Sequence, residues 1–194
     1  MAPKPGSRAL GIAASDAANR SQLCGAVIRG DRIVDDLVFA TCTVGGSDAT
    51  AACCELWDRL DRPDVQWLLL AGIAPAWFNL VDLGALADRT DRPVVAVSFE
   101  ASDGLDGPLR EQFEGEELDR RLDIYRRLPP RTRVSVGDNA VFVRTVGIDA
   151  DAAAAVVRAF TPDGSGRPEP LRVARLAARA GRQQFLDEQE KTED

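Results

Sequence analysis

Four arginines recur along one side of the last predicted helix. Arg172, Arg175, Arg179 and Arg182 are separated by three, four and three residues, a spacing that places them in one stripe. Planar guanidinium groups bind phosphate in a forked geometry, so this stripe, extended by Arg167, could contact a nucleic-acid backbone. The alternative is a solvated helix edge that pairs with the acidic surface.

A second candidate is the triplet WFN, which follows a hydrophobic run predicted to be a buried strand, Val65 to Leu70. Trp77 could stack on a base and Asn79 could form hydrogen bonds with it. We favour structural roles for Phe78, as a cover of the sheet end, and for Asn79, as a cap of the following helix. For Trp77 both interpretations stay open.

Acidic residues near predicted element ends could hold Mg²⁺ if they converged, because carboxylate oxygens are its preferred protein ligands. The candidates are Asp16, Asp48, Asp82, Glu100 and Asp149. Their spacing fits helix caps and surface charges better, and Asp48 in particular has the position of an N-cap. The chain has no histidine, phosphate-binding glycine loop or nucleophile elbow, which removes many enzyme mechanisms. We expect no resident cofactor.

The composition restricts the partners. The chain has 31 acidic and 24 basic residues and a net charge of −7, so nucleic acid must be met by a local basic patch. Arginine replaces lysine almost everywhere and Asp outnumbers Glu, as in proteins of salt-accumulating halophiles. No apolar run suits a membrane span or a signal peptide, so we expect a cytoplasmic protein. The four cysteines lack metal-site spacing and are expected to be buried.

The pattern of hydrophobic runs predicts an α/β fold. Three strands open the chain as an antiparallel meander, and two later runs without alternation, at residues 65–70 and 93–99, predict parallel strands covered on both faces. Helices are predicted between them, with an interruption near Gly115, and a hairpin flanks VGDNA before two final helices. The length predicts one domain over residues 1–183 and an acidic, disordered tail over 184–194.

Several segments carry a resemblance to a known family. The order of GIAAS, CTVGGSDAT, LLLAGIAPAWFNLVDL, RPVVAV, VGID and RPEPLRVARLAA resembles the archaeal family called domain of unknown function 99, which is similar to endonuclease V in fold. The WFN and RPEPLR segments, which are GFN-like and PEPLR-like, are the most specific. The resemblance implies a ribonuclease-H-like mixed sheet with an antiparallel opening meander and helices on both faces.

The same resemblance implies a nuclease that holds Mg²⁺ on carboxylates at neighbouring strand ends. This chain departs from that pattern where the family has acids, at Ala13 and Ala14 at the end of the first strand and at Ala71 after the fourth. Arg175 stands where relatives commonly have histidine. Asp48 remains family-like, and Asp16 is a displaced candidate.

These departures favour a pseudoenzyme with a nuclease fold and no competent metal site, retained for binding nucleic acid or a protein. The first alternative is a Mg²⁺-dependent endonuclease for deaminated or structured nucleic acid that uses Asp16, Asp48 and a further acid such as Asp82. The second is a protein-interaction module without nucleic acid.

Overall fold

The computed structural model describes residues 3–185. Its strands are β1 Arg8–Asp16, β2 Arg20–Arg29, β3 Val34–Thr43, β4 Val65–Ala71, β5 Val94–Ser98, β6 Thr132–Val136 and β7 Asn139–Val146. Its helices are α1 Ala49–Leu60, α2 Leu83–Thr90, α3 Asp106–Gln112, α4 Gly115–Arg127, α5 Ala150–Ala159 and α6 Glu169–Phe185. The α6 helix continues to Phe185. From residue 186 onward, the predicted tail, 184–194, lies outside the described residues.

The strands form one seven-stranded mixed sheet in the order β3-β2-β1-β4-β5-β7-β6. The first three strands are an antiparallel meander, whereas β1, β4 and β5 are parallel neighbours. The β7 strand runs antiparallel to β5 and β6. The carboxyl ends of β1, β4 and β5 therefore meet at one edge of the sheet, and the predicted fold class is confirmed.

Both faces of the sheet are covered. Leu56 of α1 and Leu86 of α2 share one buried cluster with Leu10 of β1. On the opposite face, Val157 of α5 and Leu171 of α6 pack against other residues of the same strands. This two-sided burial explains why β4 and β5 are hydrophobic without alternation.

The α6 helix begins almost in contact with the backbone of β1. A Cβ atom at Gly11 would lie 2.3 Å from the carbonyl carbon of Pro170, so only glycine fits there without a shift of the helix. The absence of a side chain at Gly11 therefore allows α6 to pack directly on β1. This close packing fixes the positions of the α6 arginines.

The charged segment between β5 and β6 is two helices, as the predicted interruption near Gly115 requires. Leu109 of α3 and Leu122 of α4 are buried together with Leu80, and Leu105 and Tyr125 pack on this cluster. The Tyr125 hydroxyl accepts a hydrogen bond from the Leu105 N–H at 3.0 Å. These helices thereby place Tyr125 and the 100–105 loop beside the carboxyl end of β5.

The prediction of buried cysteines is confirmed for Cys24, Cys42 and Cys53, while Cys54 is half-buried. Burial raises the pKa of Cys24 and of Cys42 to about 12, which keeps both thiols protonated. No helix within residues 3–185 has the length and apolar character needed to cross a membrane.

Candidate nucleic-acid interface

The two strand ends that the resemblance marks for carboxylates are apolar. Ala13 shares a buried cluster with Ala174 of α6, and Ala71 packs against this cluster, whereas Ala14 packs on the opposite face. Side chains alternate across a strand, so the neighbouring alanines of β1 cannot serve the same site. Ala13, 1% exposed, is therefore the β1 position that faces Ala71, and Ala14 is not.

Arg175 reaches the same strand ends from α6. Its Nη1 donates to the backbone carbonyl of Ala14 at 2.9 Å. A guanidinium group thus lies where a metal site would need a neutral or anionic ligand. It would repel a divalent cation and attract an anion.

The remaining candidate acids are used in local structure. Asp16 accepts a hydrogen bond from the Ser21 hydroxyl at 2.6 Å. Asp82 caps α2 by accepting from the Gly84 and Ala85 N–H groups. Asp149 similarly caps α5, as predicted.

Asp82 also pairs with Arg127 at 2.9 Å. Its burial opposes ionisation, but the N–H groups and Arg127 together hold the pKa of this carboxyl below its usual range. A carboxylate already shared between a helix end and an arginine has little capacity left for a metal ion.

Asn79 takes the capping role that the position of Asp48 predicts. Asp48 precedes α1 but makes no capping hydrogen bond; its carboxylate accepts from the Thr43 N–H at 3.0 Å. The helix is capped instead by Asn79, whose Oδ1 accepts from the Ala49 N–H at 2.9 Å. The predicted cap by Asn79 of the helix that follows it is wrong, because Asp82 occupies that position.

The same pair shows why Asn79 cannot contact a base. Its side chain is fully buried, and its Nδ2 donates to the Thr43 carbonyl and to Asp48. The interpretation of Asn79 as a nucleic-acid contact is therefore corrected to a role inside the fold.

The fold family implies a divalent metal ion, and the donor set does not fit one. Ala13 and Ala71 offer methyl groups, Arg175 is a cation, and Asp16, Asp48 and Asp82 are occupied elsewhere. Within residues 3–185 no three His, Cys, Asp or Glu side chains form a group that could hold a metal ion.

A cavity of about 420 Å³ opens at the carboxyl ends of β4 and β5. Four arginines from four different segments line it: Arg131, Arg144, Arg167 and Arg175. Glu100 is the one carboxylate among the lining residues. Aromatic and small residues complete the wall, among them Phe99, Tyr125 and Gly104. The cavity is therefore strongly cationic within an acidic chain.

Backbone carbonyls and aromatic rings hold two of these arginines in place. Arg131 donates to the carbonyls of Ser102 and Glu100, and its guanidinium lies 4.5 Å from the Phe142 ring centroid. Arg144 donates to the Pro129 carbonyl and lies over the Tyr125 ring. Burial lowers the pKa of Arg144 from its ordinary value, which is so high that the group stays charged.

The predicted arginine stripe divides in the structure. Arg167 stacks on Phe99 at 4.1 Å, and together with Arg175 it lines both the main cavity and a second opening of about 390 Å³. Arg172 lines only the second opening and pairs with Glu169 at 2.6 Å. Arg179 is exposed and lines neither cavity. Of the predicted arginines, Arg167 and Arg175 therefore line the main cavity, whereas Arg172 and Arg179 do not.

Sequence reasoning missed Arg131 and Arg144. Arg144 interrupts the otherwise apolar VFVRTV of β7 and pairs in register with Ala96 of β5. An arginine inside a central strand was the available signal. Its place beside the β4 and β5 ends depends on β7 being the neighbour of β5, which local sequence does not specify.

Trp77 is half-exposed and lies on a small aromatic cluster with Phe78 and Phe113. Its backbone φ is +39°, and that of Phe78 is +59°. Aromatic residues rarely adopt this left-handed conformation, and such strain concentrates at functional sites. Its ring covers Gly45, where a Cβ atom would lie 2.6 Å from the indole.

Comparison with known proteins agrees with this architecture. A family model described as endonuclease dU matches residues 5–181. A UPF0215 protein from Pyrobaculum aerophilum is 33% identical over 166 residues, which cover 84% of this chain and 87% of the relative. A protein of unknown function from Archaeoglobus fulgidus superposes with a TM-score of 0.80 at 27% identity, covering 90% of this chain and 97% of that one.

Endonuclease V is a more distant structural neighbour. The Ciona intestinalis enzyme, solved with a 24mer DNA containing an inosine followed by a ribo-adenosine, gives a TM-score of 0.60 at 13% identity. The superposition covers 92% of this chain and 87% of that one. At this identity the likeness shows a shared fold.

Proposed function

Because the chain belongs to the endonuclease dU family, we propose that it binds nucleic acid in the four-arginine pocket, defined by Arg131, Arg144, Arg167 and Arg175, without metal-dependent cleavage of the strand. The observation that carries the proposal is that four guanidinium groups line the cavity at Ala71, while Ala13 and Ala71 stand where the resemblance implies carboxylates. A phosphate-bearing ligand suits such a site better than a divalent cation.

The pocket arginines are not neutralised by ion pairs within the part of the chain that the structure describes. Within residues 3–185 none of the four arginines forms an ion pair with a carboxylate, whereas Arg62 is paired with Asp64 and Arg172 with Glu169. Carbonyls and aromatic rings orient a guanidinium group without cancelling its charge. The pocket arginines are therefore ready to bind an anion.

The composition supports binding at one local site rather than over a broad surface. A chain of net charge −7 repels polyanions at long range, so close interactions in a concave site must supply the affinity. We include in this proposal that the lysine-poor, acidic surface is an adaptation to concentrated salt. Trp77 is proposed as a stacking surface at the same edge of the sheet.

Binding is tested by fluorescence anisotropy with labelled single-stranded and duplex DNA and RNA over a series of salt concentrations. Removing one arginine that binds a phosphate should reduce the slope of log affinity against log salt by about one. We expect Arg131→Gln and Arg144→Gln to do so. The matched control is Arg89→Gln, which removes an exposed arginine of α2 that pairs with Asp58 of α1 and does not line the pocket.

Cleavage is tested on inosine- and uracil-containing substrates with Mg²⁺ or Mn²⁺ in concentrated salt. We expect no product from the unaltered protein. Metal-dependent cutting would overturn the proposal and support the endonuclease alternative. Affinity that is absent for every nucleic acid would instead support a protein-interaction module.

A further inference from the structure

We propose that the four-arginine pocket holds a terminal phosphomonoester, that is, the phosphorylated end of a nucleic-acid strand rather than an internal phosphodiester. This inference rests on the proposed function and specifies its ligand. It is drawn from the charge of the pocket, from its shape and from the way its arginines are held.

The charge balance favours a dianion. Four guanidinium groups and one carboxylate, Glu100, line the cavity. A phosphomonoester carries about −1.5 to −2 charges at neutral pH, whereas an internal diester carries a single negative charge. Glu100 is exposed, so water screens its charge more than that of the half-buried Arg131 and Arg144. A dianion therefore compensates more of the pocket's excess charge than a diester does.

The four arginines belong to four separate segments of the chain. Arg131 precedes β6, Arg144 lies within β7, Arg167 lies in the loop before α6, and Arg175 lies on α6. A backbone that runs along a surface is met by a row of cations, as the stripe on α6 was expected to provide. Cations converging from separate elements instead surround one compact anionic group, and forked guanidinium groups suit its several oxygens.

The dimensions agree with one nucleotide at a strand end. A cavity of about 420 Å³ lies in the lower range of small-molecule sites, too small for a duplex. An internal phosphate could reach the arginines only if the strand both entered and left the pocket. A strand end needs one entrance, and Phe99, Tyr125 and Leu105 give its sugar and base an apolar wall.

The shared chemistry could come from free phosphate, a mononucleotide or a strand end, and the test separates these sources. Twelve-residue oligonucleotides of one sequence carry a 5′-phosphate, a 3′-phosphate, a methyl-esterified 5′-phosphate or hydroxyl ends only. Their affinities are measured by anisotropy, and inorganic phosphate, thymidine and thymidine 5′-monophosphate serve as competitors. Thermal melting checks that each protein variant is folded.

We expect one phosphorylated oligonucleotide to bind at least about tenfold more tightly than the hydroxyl form, since a charge-assisted hydrogen bond to a dianion is worth this much. The methyl ester should bind like the hydroxyl form, because it lacks the second charge. The preference should disappear in Arg144→Gln and in Arg167→Gln, and persist in Arg89→Gln. Arg167 lies in a loop, which makes its variant the safer one for folding.

Equal binding of all four oligonucleotides, with pocket variants weakening each of them, would overturn this inference and leave the proposed function intact. Competition by inorganic phosphate as strong as that by the mononucleotide would also overturn it, because the pocket would then recognise phosphate alone. If the unaltered protein binds none of the oligonucleotides, both proposals are overturned.

Discussion

The Asn79 amide donates to Asp48 Oδ1 at 2.6 Å, and its own Oδ1 accepts from the Ala49 N–H that begins α1. This single buried side chain ties the loop after β4 to the start of α1 and to the end of β3. Asn79 thus joins three chain segments at the carboxyl edge of the sheet.

Asp48, the partner of Asn79, makes the stability of the fold depend on pH. Burial opposes its ionisation, but hydrogen bonds from Thr43 and Asn79 outweigh that effect and hold its pKa below the usual value. A depressed pKa stabilises the fold above the unfolded value, about pH 3.9, and this contribution is lost as the pH falls through the lower folded value. The stability difference between the unaltered protein and Asp48→Asn should therefore narrow below about pH 4 in urea unfolding. The same difference at acidic and neutral pH would show that ionisation of Asp48 is irrelevant.

The fold could be predicted because its sequence signals are local. The pocket could not be predicted, because it depends on contacts between residues far apart in the sequence. The apolar run at Val65–Leu70, the break near Gly115 and the cap at Asp149 each depend on neighbours in sequence. The capping of α1 by Asn79 rather than Asp48 depends on a hydrogen bond between residues 30 positions apart. Arg144 reaches the pocket only because β7 pairs with β5. Such long-range pairing assembles the pocket, and the periodicity of the sequence does not specify it.

Gly11 should be irreplaceable for a reason of space. A methyl group there would lie 2.3 Å from the Pro170 backbone, so Gly11→Ala must displace α6. We expect the free energy of unfolding to fall by about 2–3 kcal/mol, as for other overpacked sites, and nucleic-acid affinity to fall with it because Arg175 moves. The control is Gly107→Ala on α3, where nothing lies within 4 Å and alanine should stabilise the helix slightly. An unchanged melting temperature in Gly11→Ala would contradict the close approach.

Restoring carboxylates distinguishes Ala13 from Ala14. We expect the combined variant Ala13→Asp with Ala71→Asp to lose stability, because Ala13 belongs to an apolar cluster and Ala71 packs against it. Millimolar Mg²⁺ should restore part of it by binding only the folded state. The comparison variant, Ala14→Asp with Ala71→Asp, places the new acids on opposite faces of the sheet and should not respond to Mg²⁺. An equal response of both variants would show that the facing of Ala13 and Ala71 does not matter.

Trp77 can be tested with a substitution that removes its ring and suits its backbone. Glycine adopts positive φ without strain, so Trp77→Gly should relieve strain while it removes the packing of the indole on Phe78 and Phe113. We expect a small change in melting temperature and a roughly 5- to 100-fold weaker affinity for single-stranded nucleic acid, the usual effect of removing one aromatic ring on which a base stacks. Unchanged affinity would assign Trp77 to covering Gly45 alone.

Arg175 and Arg179 separate the pocket from the helix stripe. Both are exposed arginines on α6, one turn apart, but Arg175 lines the pocket and Arg179 does not. A stripe along a nucleic-acid backbone predicts equal losses for Arg175→Gln and Arg179→Gln, each reducing the salt slope by about one. The pocket predicts that loss for Arg175→Gln alone.

Arg175→Lys, which keeps the charge without the planar fork, should recover only part of the affinity. Because Arg175 also donates to the Ala14 carbonyl, melting temperatures must accompany the affinities. Equal effects of the two glutamine variants would show that nucleic acid binds along the exposed side of α6 rather than in the pocket.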